Sequence, residues 1–168
     1  MRTPRQRHVD ADFVSWYEQE YSRIVRTLAL AIGDLDLAEE SVAEAFARAL
    51  ARWRAVRSMH ARTGWVYTVA MNVARDSWRK VRAERRWADS ASLCPPHPAP
   101  DEPDDTLWRA VAALSPQMRA AIALRYVADL PESEIARVMG IARGTVAATL
   151  HRARVQLASV LDAPEECR

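Results

Sequence analysis

Between Arg143 and Arg154 the chain reads RGTVAATLHRAR, and its polar members Arg143, Thr145, Thr149, His151, Arg152 and Arg154 have no acid among them. Guanidinium, hydroxyl and imidazole groups on one helix suit contact with phosphates and with base edges in a duplex groove. For His151, DNA contact and plain solvent exposure are both open. A second basic stretch, ARDSWRKVRAERRW, sets Arg75, Arg79, Lys80, Arg82, Arg85 and Arg86 beside Trp78 and Trp87. Cations interleaved with rings suit a single strand, because stacking of a base on an aromatic side chain contributes about 1–3 kcal/mol while the charges guide the backbone. The competing reading is a solvated amphipathic helix whose rings are core. Packing is the favoured role for Trp78 and Trp87, and Trp65 suits either role.

Other chemistry is poorly supplied. The four histidines, at 8, 60, 97 and 151, are scattered, and there is no glycine-rich phosphate loop and no nucleophile beside a base. Neither an enzyme nor a cofactor is expected. Cys94-Pro-Pro-His97 has metal-ligand spacing, but no second pair lies near it, so no metal site is expected. Cys94 and Cys167 stand too far apart in sequence for a disulfide framework, which fits a reducing cytoplasm. The basic start MRTPRQRHVD is followed by no apolar core of signal length, and the longest apolar run, Leu28–Ile32, cannot span a bilayer. Neither export by that route nor membrane insertion is expected.

The basic residues need helices to hold them. Pro131 suits a first helical position, Glu132 and Glu134 complement the positive end of the dipole, and Ile135, Val138 and Met139 form a buried side. Gly140 permits the left-handed residue that ends this helix, and Ile141 plugs the corner before a second helix begins near Arg143. Val146, Leu150, Ala153 and Leu157 recur at helical spacing and are expected to pack inward. Thr145, Thr149 and the arginines are expected to point elsewhere. Two short helices about a glycine turn, the second basic, are the layout of a DNA-reading helix-turn-helix.

Apolar residues recur at three and four throughout, and strand signals are nearly absent, so the fold class is all-α. A first helix over about 12–32 is stopped by Gly33. Asp34 or Asp36 caps a second, running to about Trp53, with Leu35, Ala38, Val42, Phe46 and Ala49 on one face. A third runs from about Thr63 to Trp87 with Val66, Val69, Ala70, Val73 and Ser77 inward. Proline-rich, acidic residues 88–105 form a linker, and helical spacing resumes at Thr106. Ser115 caps a helix whose first turn holds Pro116. The chain of 168 residues, formally +2 in charge, thus divides into a basic tail 1–11, a three-helix domain 12–87, the linker, a four-helix domain 106–162 and a tail 163–168.

Taken together, these blocks resemble a bacterial sigma factor of the extracytoplasmic-function class, the minimal kind with regions 2 and 4 only. Residues 13–87 are similar to region 2: GDLDLAEESVAEAFARAL stands at the family's acidic amphipathic helix, and TGWVYTVAMNVARDSWRKVRAERR at its promoter-melting, minus-ten-reading helix. Residues 106–161 are similar to region 4, where LSPQMRAAIALRY, SEIARVMGI and GTVAATLHRAR keep the family's order and spacing. The resemblance implies an initiation factor that binds core RNA polymerase, directs it to a promoter and aids melting. It implies docking on the clamp of the largest subunit through Glu39, Glu40, Val42, Glu44 and Phe46, with region 4 near the flap of the second subunit. A flipped base of the minus-ten element would sit at Asn72, in a pocket completed by Arg57, Ser58, His60 and Arg62. Arg75, Asp76, Arg79 and Lys80 would face the strand, and Trp65 and Tyr67 would serve packing as well as strand contact. Arg143, Thr145, Thr149, His151, Arg152 and Arg154 would meet the minus-thirty-five element. An anti-sigma factor is common in the class, although no residue identifies one.

The chain departs from the family where a Leu-Val-Gln run is usual and Ser41-Val42-Ala43 stands instead. It departs again where the recognition helix usually opens on a serine cap and carries a basic residue and a serine after Gly-Thr-Val. Here Ala142, Ala147 and Ala148 stand there, which predicts weaker reading of the upstream element. Two other functions are consistent with the blocks taken separately. One is a stand-alone helix-turn-helix regulator with an amino-terminal sensing or dimerisation bundle, which leaves the tryptophan-bearing basic helix idle. The other is a helical adaptor, which leaves both basic surfaces unexplained.

Overall fold

The computed structural model describes residues 10–87 and 105–161, without the side chains of 81–87, 105 and 106, and every regular element among them is helical. The expected linker up to residue 104, both tails apart from residues 10 and 11, the Cys94/His97 pair, Cys167 and the side chains of Arg82, Arg85, Arg86 and Trp87 lie outside that description.

Helix α1 spans Ala11–Ile32, where Asp10 accepts a hydrogen bond from the Asp12 N–H at 3.0 Å and so satisfies a free donor of the first turn. It ends at Gly33, whose φ of 77° is left-handed and whose N–H donates to Ala29 O. Asp34 caps α2 (Leu35–Ala51) by accepting from Leu37 N–H at 2.9 Å. The expected continuation of α2 to Trp53 does not occur. The chain leaves the helix at Arg52 (φ −117°) and makes a separate turn, α3 (Trp53–Val56), which brings Trp53 into the core. There Trp53 stacks on Trp16 at 5.3 Å and meets Phe13 edge-on at 5.2 Å, and Phe46 lies 5.2 Å from Trp16. Clustered rings of this kind carry much of the packing energy of a small helical core.

Helix α4 (Arg62–Trp87) buries Val66, Tyr67, Ala70, Met71 and Ala74. The expected inward side, Val66, Val69, Ala70, Val73 and Ser77, is rotated from this, with Val69, Val73 and Ser77 only half-buried. The reason is that α4 is covered on two sides, by α1 and α2 and also by a helix of the second half.

That second half comprises α5 (Asp105–Ala112), α6 (Pro116–Ile122), a π-helical turn over Ala123–Val127, α7 (Glu132–Met139) and α8 (Arg143–Leu161). Ser115 caps α6 with Pro116 in its first turn, as expected. Pro131 stands one position earlier than expected, at the N-cap of α7, with extended backbone (ψ 155°). Gly140 is left-handed (φ 66°) and turns the chain into α8. Ile135, Val138, Val146, Leu150 and Ala153 are buried, while Leu157 packs against them half-covered. The two halves join: α1 packs on α6 and the π turn, α4 packs on α7, and one continuous hydrophobic cluster runs through both.

Candidate nucleic-acid interface

On α4, Asn72, Arg75, Asp76, Trp78 and Arg79 line one open cleft of about 640 Å³. Asn72 is exposed, and its Oδ1 accepts from Arg75 Nη1 at 3.4 Å, so the amide nitrogen remains presented to the cleft. Asp76 pairs with Arg79 one turn on, and both are mostly exposed. Trp78 is 40% exposed, a ring at the surface among cations rather than in the core. Lys80 is exposed and lines, with Glu40, Glu44, Asp76 and Ser77, a second hollow against α2.

The loop before α4 presents Arg57, Ser58 and His60 at the surface. Arg57 donates to Asp10 Oδ2 at 3.3 Å, and Ser58 Oγ donates to Ala55 O at 2.8 Å. Arg62 is half-buried with its guanidinium 5.1 Å from the centre of the Trp16 ring, a cation–π contact that ties the loop to the aromatic core. Trp65 is half-buried and packs on the core. Tyr67 corrects the expectation of strand contact: it is fully buried, and its hydroxyl donates to Thr27 Oγ1 at 3.1 Å. Burial pushes the Tyr67 phenol above its ordinary pKa, against the hydrogen bond it shares with Thr27 and the charge of Arg23.

On α8, Arg143, Thr145, His151, Arg152 and Arg154 are exposed and Ala148 stands among them, while Ala147 is half-buried. Arg143 lies 3.7 Å from Glu132, and Arg154 Nε donates to Leu150 O at 3.2 Å. Thr149 is a correction, since it is only 1% exposed and its hydroxyl has no partner among the described residues. The physical reason is helical phase: Thr149 lies three residues after Val146 and four before Ala153, which places it on the inward stripe rather than beside the arginines. On α2, Glu39, Glu40 and Glu44 are exposed, Glu44 pairing with Arg48 at 2.7 Å. Val42 and Phe46 are buried and cannot form the exposed docking surface expected of them. Ser41, where the departure from the family falls, is buried, and its hydroxyl has no partner among the described residues.

Residues 104–157 match the family model for sigma-70, region 4. The chain is 32% identical over 142 residues to the extracytoplasmic-function sigma factor SigL of Mycobacterium tuberculosis, covering 80% of each chain. The chain belongs to the extracytoplasmic-function sigma factors. The sigma factor is also 24% identical over 148 residues to the RNA polymerase sigma-E factor of Streptomyces coelicolor, with 87% of this chain and 84% of that one aligned. In fold it is similar to the sigma factor RpoE of Bartonella quintana, solved in complex with the anti-sigma factor NepR. That likeness has a TM-score of 0.74 and 21% identity, over 93% of this chain and all of the other. The sigma factor is thus a transcription initiation factor of all-α architecture, and the stand-alone regulator is not favoured. Among the described residues no helix is long and apolar enough to cross a membrane, and no group of His, Cys, Asp or Glu could hold a metal ion.

Three arginines hydrogen-bond across the two halves, of which Arg23 and Arg119 were not singled out from the sequence. Arg119 Nε and Nη2 donate to Ala31 O and Ile32 O at 3.4 and 3.3 Å, Arg75 donates to Val138 O and Met139 O at 3.4 and 2.9 Å, and Arg23 reaches Ala128 O at 3.5 Å. For Arg75 the sequence points to the DNA strand alone. Burial holds the Arg75 and Arg119 guanidinium groups below their ordinary pKa. The signal for Arg119 was legible: a lone cation among Ala120, Ala121, Ile122 and Leu124, with no acid on its helix.

Proposed function

We propose that the region-2-like half captures the melted minus-ten strand on α4 while the exposed face of α8 anchors on the minus-thirty-five duplex. The observation that carries this is the cleft where Asn72, Arg75, Asp76, Trp78 and Arg79 converge. An amide that donates and accepts can hold the edge of an extruded base, an exposed indole can stack, and guanidinium groups can follow the phosphates. Arg57, Ser58 and His60, in the loop that leads into α4, complete the base pocket from its amino-terminal side, with Arg62 positioning the loop. On α8, Arg143, Arg152 and Arg154 meet phosphates, and Thr145 and His151 reach base edges. Alanines at 147 and 148 leave few donors for base edges, so this helix anchors more than it discriminates.

The partner that makes this useful is core RNA polymerase, met in the cytoplasm. Glu39, Glu40 and Glu44 form an acidic strip on α2 suited to basic residues of the clamp, with the region-4-like half near the flap. Placing both DNA-reading halves on one scaffold raises the effective concentration of each at its element. An anti-sigma factor is a fitting restraint, as the RpoE of similar fold has one bound. Run-off transcription with purified core polymerase tests the reading: Asn72→Ala should leave core binding intact while slowing open-complex formation. Normal promoter melting by that variant removes Asn72 from the pocket.

A further inference from the structure

The recognition helix has one carboxylate close to its cations, and that carboxylate comes from the helix before it. No acid stands between Glu134 and Asp162, so the basic face of α8 has none of its own. Glu132, in the first turn of α7, reaches across the glycine turn, and its Oε2 lies 3.7 Å from Arg143 Nε. Of the arginines on α8, Arg143 is the one that pairs with an acid among the described residues, while Arg154 turns its Nε to Leu150 O. The other acid of that turn, Glu134, pairs with Arg137 of its own helix. Stability does not explain the Glu132 pair. The Arg143 side chain is 74% exposed and that of Glu132 37%, and exposed pairs of this kind contribute little to folding. A Cβ on neighbouring Gly144 would meet no other part of the chain within 4 Å, so this corner of the helix-turn-helix is uncovered. Arg143 opens the helix that the proposed function lays on the duplex, which sets Glu132 as a negative charge among groups meant for phosphates.

We propose, resting on that reading of α8, that Glu132 is a specificity-determining residue of the minus-thirty-five contact and acts by fixing the direction from which Arg143 can engage a phosphate. A guanidinium presents its N–H donors in a rigid planar fork. A carboxylate on the Nε side leaves the two terminal nitrogens as the free end of that fork. A phosphate arriving at that end gains a two-pronged contact with the carboxylate still behind the guanidinium. One arriving from the α7 side meets like charge. Non-specific complexes are held almost entirely by phosphates in interchangeable positions, so a penalty on most approaches falls on them more heavily than on a complex seated in one register. This gives α8 a means of selection that Ala147 and Ala148 cannot supply, since neither offers a donor or an acceptor to a base edge. The arginines anchor the helix, and Glu132 decides where the anchor holds.

The test uses the full chain bound to core polymerase, on a promoter fragment that supports run-off transcription and on the same fragment with its minus-thirty-five element scrambled. Strand contacts are common to both fragments, so the ratio of the two affinities isolates the upstream grip. Glu132→Gln should tighten binding to the scrambled fragment, steepen its salt dependence and lower the ratio about two- to fivefold, the effect of one exposed charge. With Arg143→Ala already in place, the same substitution should leave the ratio unchanged. Equal tightening on both fragments, an unaltered ratio, or a fall in the ratio that persists without Arg143 overturns the assignment. The reading of α8 fails separately. Wild-type binding that ignores the scrambling takes the minus-thirty-five contact away from this helix and the inference with it, whereas a wild-type preference that Glu132→Gln leaves intact removes Glu132 alone.

Discussion

At Thr149 a polar side chain sits in the apolar stripe of α8, its hydroxyl without a partner among the described residues. Desolvating a hydroxyl without a partner costs free energy that an isosteric methyl does not. Thr149→Val is therefore expected to be neutral or to stabilise by up to about 1 kcal/mol in denaturant unfolding, with duplex binding unchanged; a specific loss of minus-thirty-five binding would return Thr149 to the interface. Tyr67 is the opposite case, a buried hydroxyl with a partner in Thr27. Tyr67→Phe should cost about 0.5–1.5 kcal/mol of stability and leave strand capture intact. Because its phenol is raised by burial, the neutral form is favoured by folding. That contribution is fully present below the ordinary tyrosine pKa and is lost as pH climbs towards the folded value. Alkaline destabilisation should accordingly be milder in Tyr67→Phe. Thr149 was misplaced from sequence because its type suggested the surface while its position within the turn decided burial; for Tyr67 the expected packing holds and the expected strand contact does not.

At the scale of elements, the caps and breaks were largely written in local sequence. Asp34, Ser115, Gly33 and Gly140 act where their types predict, since a cap is chemistry between residues two to four apart. Gly140→Ala forces a Cβ into left-handed backbone at φ 66° and is expected to cost about 1–2 kcal/mol, measured by thermal or denaturant unfolding. At the start of α8, Ala142 O accepts from the N–H groups of Thr145 and Val146, but its side chain offers no acceptor to the free donors. Ala142→Ser should add about 1 kcal/mol. Ala147→Arg should strengthen duplex binding in a mobility shift, and an unchanged shift would count against this placement of the helix on DNA. The rotation of the buried side of α4 was not legible, because it comes from a helix more than fifty residues away in sequence.

For the whole molecule, the join of the two halves is crossed by hydrogen bonds from arginine to main-chain carbonyl as well as by apolar packing. Arg119 is 9% exposed and spends its donors on carbonyls at the end of α1 and at Ala112. Replacing Arg119 with Ala should cost about 1.5–3 kcal/mol, because hydrogen bonds to a charged group are lost and buried carbonyls are left bare. It should also speed amide exchange at the end of α1 and in α7, and unaltered exchange there would show that Arg119 serves region 4 alone. The amino-acid sequence by itself determined the helical class, the punctuation of the helices, the two basic surfaces and the family, because periodicity, caps and motif spacing are properties of nearby residues. Only the tertiary structure decided which face of α4 is covered, that Tyr67, Thr149, Val42 and Phe46 are interior, and that Arg75 is held by α7. Those facts depend on where distant helices pack, and a guanidinium binds a helix-end carbonyl or a phosphate by the same hydrogen-bonding chemistry, so residue type alone could not choose between them.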